Sequence, residues 1–181
     1  MEAQQTPFKA GINSGAILGI VSVIITFIFY FISPEQLVGT AYTVIYFGAL
    51  IGLVIYFGLQ YRKSVGGYME FGPAFNFSFI TMLVGGLIGL AGTMILYFVV
   101  DPSLPNVIAD SALESSMNMM EKFGIADNLT SEEIDEMRKA TYDSVSPFGL
   151  IKSQGLALIG YAILSLIIGA IIKRRDKSLD Y

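Results

Sequence analysis

Four long stretches of this chain contain no charged residue, and this pattern limits its fold more than any other feature. They run from Ala10 to Pro34, Gln36 to Tyr61, Phe71 to Val100 and Ser153 to Ile172. A bilayer core about 30 Å thick takes about 20 helical residues to cross, and each stretch is long enough. The 181 residues include 11 lysines and arginines and 15 aspartates and glutamates, so four such gaps are not a chance arrangement. Only 14% of the residues are charged, against about 25% in a soluble domain. The fold expected is an all-α membrane protein, one domain over 1–181 with four transmembrane helices at about 8–32, 37–60, 73–100 and 150–172.

Local signals mark the helix ends. Thr6-Pro7 reads as an N-cap and first helical position, and Ser33-Pro34 stops the first span. Gly72-Pro73 is placed to start the third after the Gly66-Gly67 break. Pro73 to Val100 is 28 residues, about 42 Å of helix at about 1.5 Å per residue, which predicts a tilt or a bend near Gly85-Gly86. Phe71, Phe75 and Phe79 recur every fourth residue as an apolar stripe. The first span is too long for a signal peptide, has only Lys9 before it and lacks a small-residue cleavage site, so it reads as an uncleaved helix.

Lysine and arginine near the span ends set the orientation. Arg62 and Lys63 follow the second span, Lys173, Arg174, Arg175 and Lys177 follow the fourth, and Lys9 precedes the first. Lys122, Arg138, Lys139 and Lys152 lie on the other side among a larger number of acids. Both termini and the 62–70 link are therefore expected in the cytoplasm, with the Pro34-Glu35 turn and segment 101–149 outside.

That outer segment reads as two acidic amphipathic helices of about 18 and about 15 residues. Asp101-Pro102 is placed to cap the first, and Ala109, Leu113, Met117, Met120 and Phe123 form its apolar face before a Gly124 C-cap. Thr130 and Glu133 form a capping box for the second, whose stripe is Ile134, Met137, Thr141 and Val145, with Pro147 as its stop. Isolated helices of this length are marginal in water, so these faces need cover from the membrane, the bundle's outer end or a partner. Interfacial membrane helices usually carry basic polar faces; these are acidic, which favours docking on protein. Leu113, Met117, Met120, Phe123, Ile134 and Met137 are the partner-docking candidates.

Glycines recur at close-packing spacing: Gly11, Gly15 and Gly19 in the first span, Gly48 and Gly52 in the second, Gly85 and Gly89 in the third. Such positions let helix backbones approach in lipid, within this bundle or against another subunit. The polar residues of the spans are mostly small hydroxyls able to bond their own backbone, while Asn13, Asn76 and Gln154 lie near the ends. No ionisable group sits at mid-membrane, which argues against coupled transport.

The chain contains no histidine and no cysteine, the first being the commonest metal ligand and general base. No nucleotide loop or nucleophile elbow is present, and the basic residues border apolar runs instead of forming a nucleic-acid surface. Glu132-Glu133 with Arg138 superficially resembles the motif of intramembrane CAAX-type proteases, but the spacing is one residue too long and a solvated helix face explains it. Asp127, Glu132, Asp135 and Glu136 read as acidic surface, not as a calcium loop. Asn128-Leu129-Thr130 matches a glycosylation sequon, although capping already accounts for Thr130. No catalytic, cofactor or metal site is expected.

The opening Phe8-Lys9-Ala10-Gly11, the link from Arg62-Lys63 through Gly67-Tyr68-Met69-Glu70-Phe71-Gly72-Pro73-Ala74-Phe75, and Asp101-Pro102 before an acidic Met-rich insert carry a family resemblance. On these the chain resembles DUF4199, a family of small bacterial membrane proteins found mainly in Bacteroidetes. The resemblance implies a bacterial inner membrane, with 101–149 in the periplasm, and brings no activity or active-site residue. The leading functional expectation is a non-enzymatic structural or accessory subunit, whose partners are membrane lipid and either other membrane subunits or a second copy. A passive channel or carrier for a small neutral or lipidic solute comes second, and an enzyme working at the membrane face through Tyr, Asp or Glu third.

Overall fold

The computed structural model describes residues 5–125 and 129–175; Asp127, Asn128 and Lys177 lie outside them. The described residues form six helices: α1 (Pro7–Ile32), α2 (Thr40–Ser64), α3 (Phe71–Ile95), α4 (Leu104–Lys122), α5 (Ser131–Ser144) and α6 (Pro147–Ile172). Helices α1, α2, α3 and α6 are long and apolar enough to cross a membrane. Only 17–28% of the most apolar stretch of each is buried within the chain. Ile17, Ile20, Ile24 and Ile28 of α1 and Ile159, Ile163, Ile167 and Ile171 of α6 face outward. An exterior this apolar requires hydrocarbon as its solvent, so the chain is a membrane-spanning protein.

Side chains at the ends explain where the helices begin. The Thr6 hydroxyl accepts from the Lys9 amide at 3.3 Å with Pro7 in the first turn, as the sequence predicts. The Ser146 hydroxyl accepts from the Gly149 amide at 3.0 Å, so Pro147 opens α6 three residues before the expected start. Helix α2 starts at Thr40, not at 37, because Pro34–Val38 forms a 3₁₀ turn that reverses the chain. Helix α3 starts at Phe71, ahead of Pro73; a proline in the first turn sacrifices no helical hydrogen bond.

No break occurs at Gly85-Gly86, where α3 stays α-helical. The departure comes later, in a π turn over Leu96–Val100 in which the Asp101 amide reaches back to the Leu96 carbonyl at 2.9 Å. Asp101 also corrects the expected start of α4. Its carboxylate accepts from the Ser103 amide at 3.0 Å and the Ser103 hydroxyl at 2.5 Å, forming a turn of its own, and α4 begins only at Leu104. Those bonds, the Ser103 hydroxyl first, hold the Asp101 carboxyl below its usual pKa. The same carboxylate accepts from the Tyr30 hydroxyl at 3.2 Å, tying the end of α1 to the start of the insert.

Helix α3 lies at the centre, parallel to α1 and antiparallel to α6. One core cluster joins Leu18, Leu50, Val54, Tyr61, Phe77, Met82, Ile168 and Ile172. A second, at the other end of the bundle, joins Leu37, Leu96 and Tyr97 to Leu104 and Ile108 of α4. The insert therefore rests its first turns on the bundle. Helix α5 folds back beside α4, and the Tyr142 hydroxyl donates to Asp110 at 2.5 Å. Buried hydroxyls in the spans bond their own helix four residues back, among them Ser22, Thr26, Ser78, Thr81 and Ser165. Among the described residues no buried side-chain polar atom lacks a partner.

The capping box forms as the sequence predicts, with reciprocal bonds between Thr130 and Glu133 at 2.8 and 3.2 Å. The Thr130 amide and hydroxyl lower the Glu133 pKa. A carboxyl depressed on folding stabilises the fold above its unfolded pKa, about 4.3, and that contribution is lost as pH falls through the folded value. The protection of amides in the first turn of α5, taken relative to intrinsic exchange at each pH, should therefore be full above the unfolded carboxyl pKa of about 4.3 and fall as the pH drops below it. Thr130→Ala removes an N-cap worth about 1 kcal/mol, and should quicken the same amides about five-fold at neutral pH.

Candidate functional site

The glycine motifs meet different fates. Gly11, Gly15 and Gly19 of α1 lie against Ile80, Val84 and Ile88 of α3, one helical turn apart on each helix. The seam is reciprocal, since Gly85 and Gly92 of α3 receive Leu18 and Val23 of α1. An added Cβ at Gly15 would fall 2.7 Å from Val84 Cβ, and at Gly19 2.5 Å from Ile88 Cβ; only glycine allows this approach. Gly89 is looser, with Tyr46 Oη at 3.7 Å. Gly48 and Gly52 have the same spacing, yet nothing lies within 4 Å of a Cβ at either. They stand on the outward face of α2 in one row with Tyr56 and Gln60.

Besides Gly92, sequence spacing missed several close approaches within the chain. Gly58 receives Ile172, Gly86 lies under the Tyr161 hydroxyl and the Gln154 amide, and Gly169 packs on the backbone of Phe75. None belongs to a repeat with a filled partner position, so only the tertiary structure reveals them.

On the insert, Leu113, Met117, Met120, Ile134 and Met137 are half-buried where α4 and α5 face each other, whereas Phe123 is 73% exposed at the hairpin tip.

The opposite end of the bundle gathers the charge. Gly66 and Gly67, both at positive φ, turn the chain after α2. Met69 then pairs with Arg174 in a short antiparallel bridge, amide to carbonyl at 2.9 and 2.8 Å. This bridge clasps the link between α2 and α3 to the start of the tail. Arg62 reinforces it by donating to the Ile172 carbonyl at 2.9 Å, where a cation also suits the negative end of the α6 dipole. Lys173 Nζ sits 5.7 Å from the Phe71 ring centre, and the Arg174 guanidinium 5.6 Å from that of Tyr68, within cation–π range. Between the start of α3 and the tail lies a cavity of about 560 Å³, lined by Glu70, Phe71, Lys173, Arg174 and Arg175. Of the residues read in sequence as orientation signals, Arg62, Lys173, Arg174 and Arg175 thus share one built surface, while Lys63 does not line the cavity. The N-terminal segment is at the same end, as the Tyr61 hydroxyl donates to the Gln5 carbonyl at 2.9 Å.

A second cavity of about 560 Å³ lies at the insert end between α5 and α6, lined by Asp143, Ser144, Ser146, Phe148 and Lys152. Among the described residues no three carboxylates come together in a way that could hold a metal ion.

No curated protein and no solved structure matches the chain. A family described as "Protein of unknown function (DUF4199)" matches residues 13–174, nearly the whole chain and all four spans apart from the first turns of α1. The link, the Met69–Arg174 bridge and the seam apart from Gly11 fall within that match, and the chain belongs to the DUF4199 family.

Proposed function

We propose that this protein is a non-enzymatic structural or accessory subunit of a larger assembly in the bacterial inner membrane. In this reading both termini and the clasp face the cytoplasm and 101–149 faces the periplasm. The observation that carries it is the vacant glycine row on α2. Glycine inside a helix costs about 1 kcal/mol relative to alanine. In α1 that cost is offset by the closeness of α3; at Gly48 and Gly52 nothing within the chain offsets it. A close-packing face turned outward in lipid suits a second helix, from another subunit or from a second copy. The internal bonding of the buried span hydroxyls supports a packing role over a solute path.

Cross-linking in native membranes followed by mild-detergent purification tests the reading. The expected result is a stoichiometric partner or dimer that disappears in Gly48→Leu/Gly52→Leu, while the bundle keeps its thermal stability. A particle that stays monomeric in both preparations would overturn it.

A further inference from the structure

We propose that the clasp end holds the phosphate of an anionic phospholipid, with Lys173, Arg174 and Arg175 supplying the charge and the acyl chains running down the outward face of α6. The proposal does not depend on whether the protein has a subunit partner.

Basic residues that follow a membrane helix commonly trail into water. Here they are held. The Met69–Arg174 bridge fixes the backbone of the tail's first residues, and the rings of Phe71 and Tyr68 sit beside Lys173 and Arg174. Groups already positioned lose less freedom when a ligand arrives. Among the described residues three cations and one carboxylate, Glu70, line a cavity of about 560 Å³, a positive excess. Arg62 is engaged by the Ile172 carbonyl and acts as a positioning residue.

Position in the bilayer favours a lipid over a soluble phosphate. Ile167 and Ile171, exposed by 54% and 52%, stand one turn apart on α6 immediately before the cations. Phe71, 40% exposed, flanks the cavity from α3. Hydrocarbon-facing residues below and cations above match an acyl chain below a phosphate, and basic pockets between spans bind anionic headgroups for this reason. Glu70 opposes an anion at the same place, which gives the site an internal control.

The test uses the full chain in detergent and measures binding of dioctanoyl phosphatidylglycerol, dioctanoyl phosphatidylcholine and glycerol 3-phosphate. Phosphatidylglycerol should bind at least ten-fold more tightly than either of the others. A cation beside an anionic surface is worth about a five-fold change in affinity, so Lys173→Ala/Arg175→Ala should weaken binding about 25-fold. Glu70→Gln should tighten it several-fold, and Lys63→Ala, outside the cavity, should leave it within about two-fold. Should the double variant fail to fold, Glu70→Gln decides the matter alone. Equal losses in the double variant and Lys63→Ala would mean diffuse surface charge and overturn the site. Glycerol 3-phosphate binding as tightly as the lipid would overturn the lipid as its occupant.

Discussion

Gly15→Leu is expected to separate α1 from α3 and to cost about 3 kcal/mol of bundle stability, the upper part of the range for overpacked sites. The atoms facing position 15 are Val84 Cβ at 2.7 Å and the Thr81 carbonyl oxygen at 2.8 Å from where a Cβ would stand. Neither can rotate away, because one is fixed to the α3 backbone and the other is part of it. Relief requires the helices to move, and movement also opens the contacts at Gly11, Gly19, Gly85 and Gly92. Unfolding in mixed micelles with increasing dodecyl sulfate reads the loss. Gly52→Leu, with open space around it, should not destabilise, and should shift the same curve upward by up to about 1 kcal/mol as the helix cost of glycine is removed. Similar curves for both substitutions would mean that the α1–α3 seam is not what holds the bundle together.

Phe77→Ala should have the next largest effect, about 2 kcal/mol. Phe77 is fully buried and stacks on Tyr61 with ring centres 5.1 Å apart and planes at 4°. It thereby joins α3 to α2, next to the contact of Gly58 with Ile172 of α6. In a soluble core, Phe→Ala costs about 3–5 kcal/mol, a transfer contribution plus a cavity contribution. In a membrane the separated helices still expose the ring to acyl chains, so most of the transfer contribution vanishes and lost packing remains. The dodecyl sulfate assay measures it, with Phe148→Ala as reference because Phe148 is 75% exposed. A shift no larger than that of Phe148→Ala would mean that the stacked pair contributes little.

The sequence made legible whatever depends on neighbouring residues or on solvent. The four spans follow from the absence of charge, and the Thr6 cap and the Thr130–Glu133 box from side chains within three residues of their partners. Several boundaries were misjudged even so, because local bonds compete and residue type does not say which of them forms. The π turn exists because the Asp101 amide finds Leu96, and α4 starts late because the Asp101 carboxylate is occupied by Ser103 and Tyr30. Glycine spacing could not separate α1 from α2, since the two motifs are alike and differ only in what the fold places against them. The clasp was the least legible part. Met69 and Arg174 lie far apart in the chain and bond through backbone atoms, which leave no mark on residue type.

The parallel pairing of α1 and α3 bears on how the chain assembles during synthesis. Two neighbours running in the same direction cannot be joined by a tight turn; α2 must cross the bilayer between them as a return passage. The glycine face of α1 therefore waits in the lipid until the third helix emerges. The first two helices meet chiefly through smaller contacts such as the Thr26–Tyr42 hydroxyl pair, so a nascent chain halted after α2 would be inserted but only loosely associated. Cooperative assembly begins with α3, and the clasp closes only once residues 173 and 174 have left the ribosome.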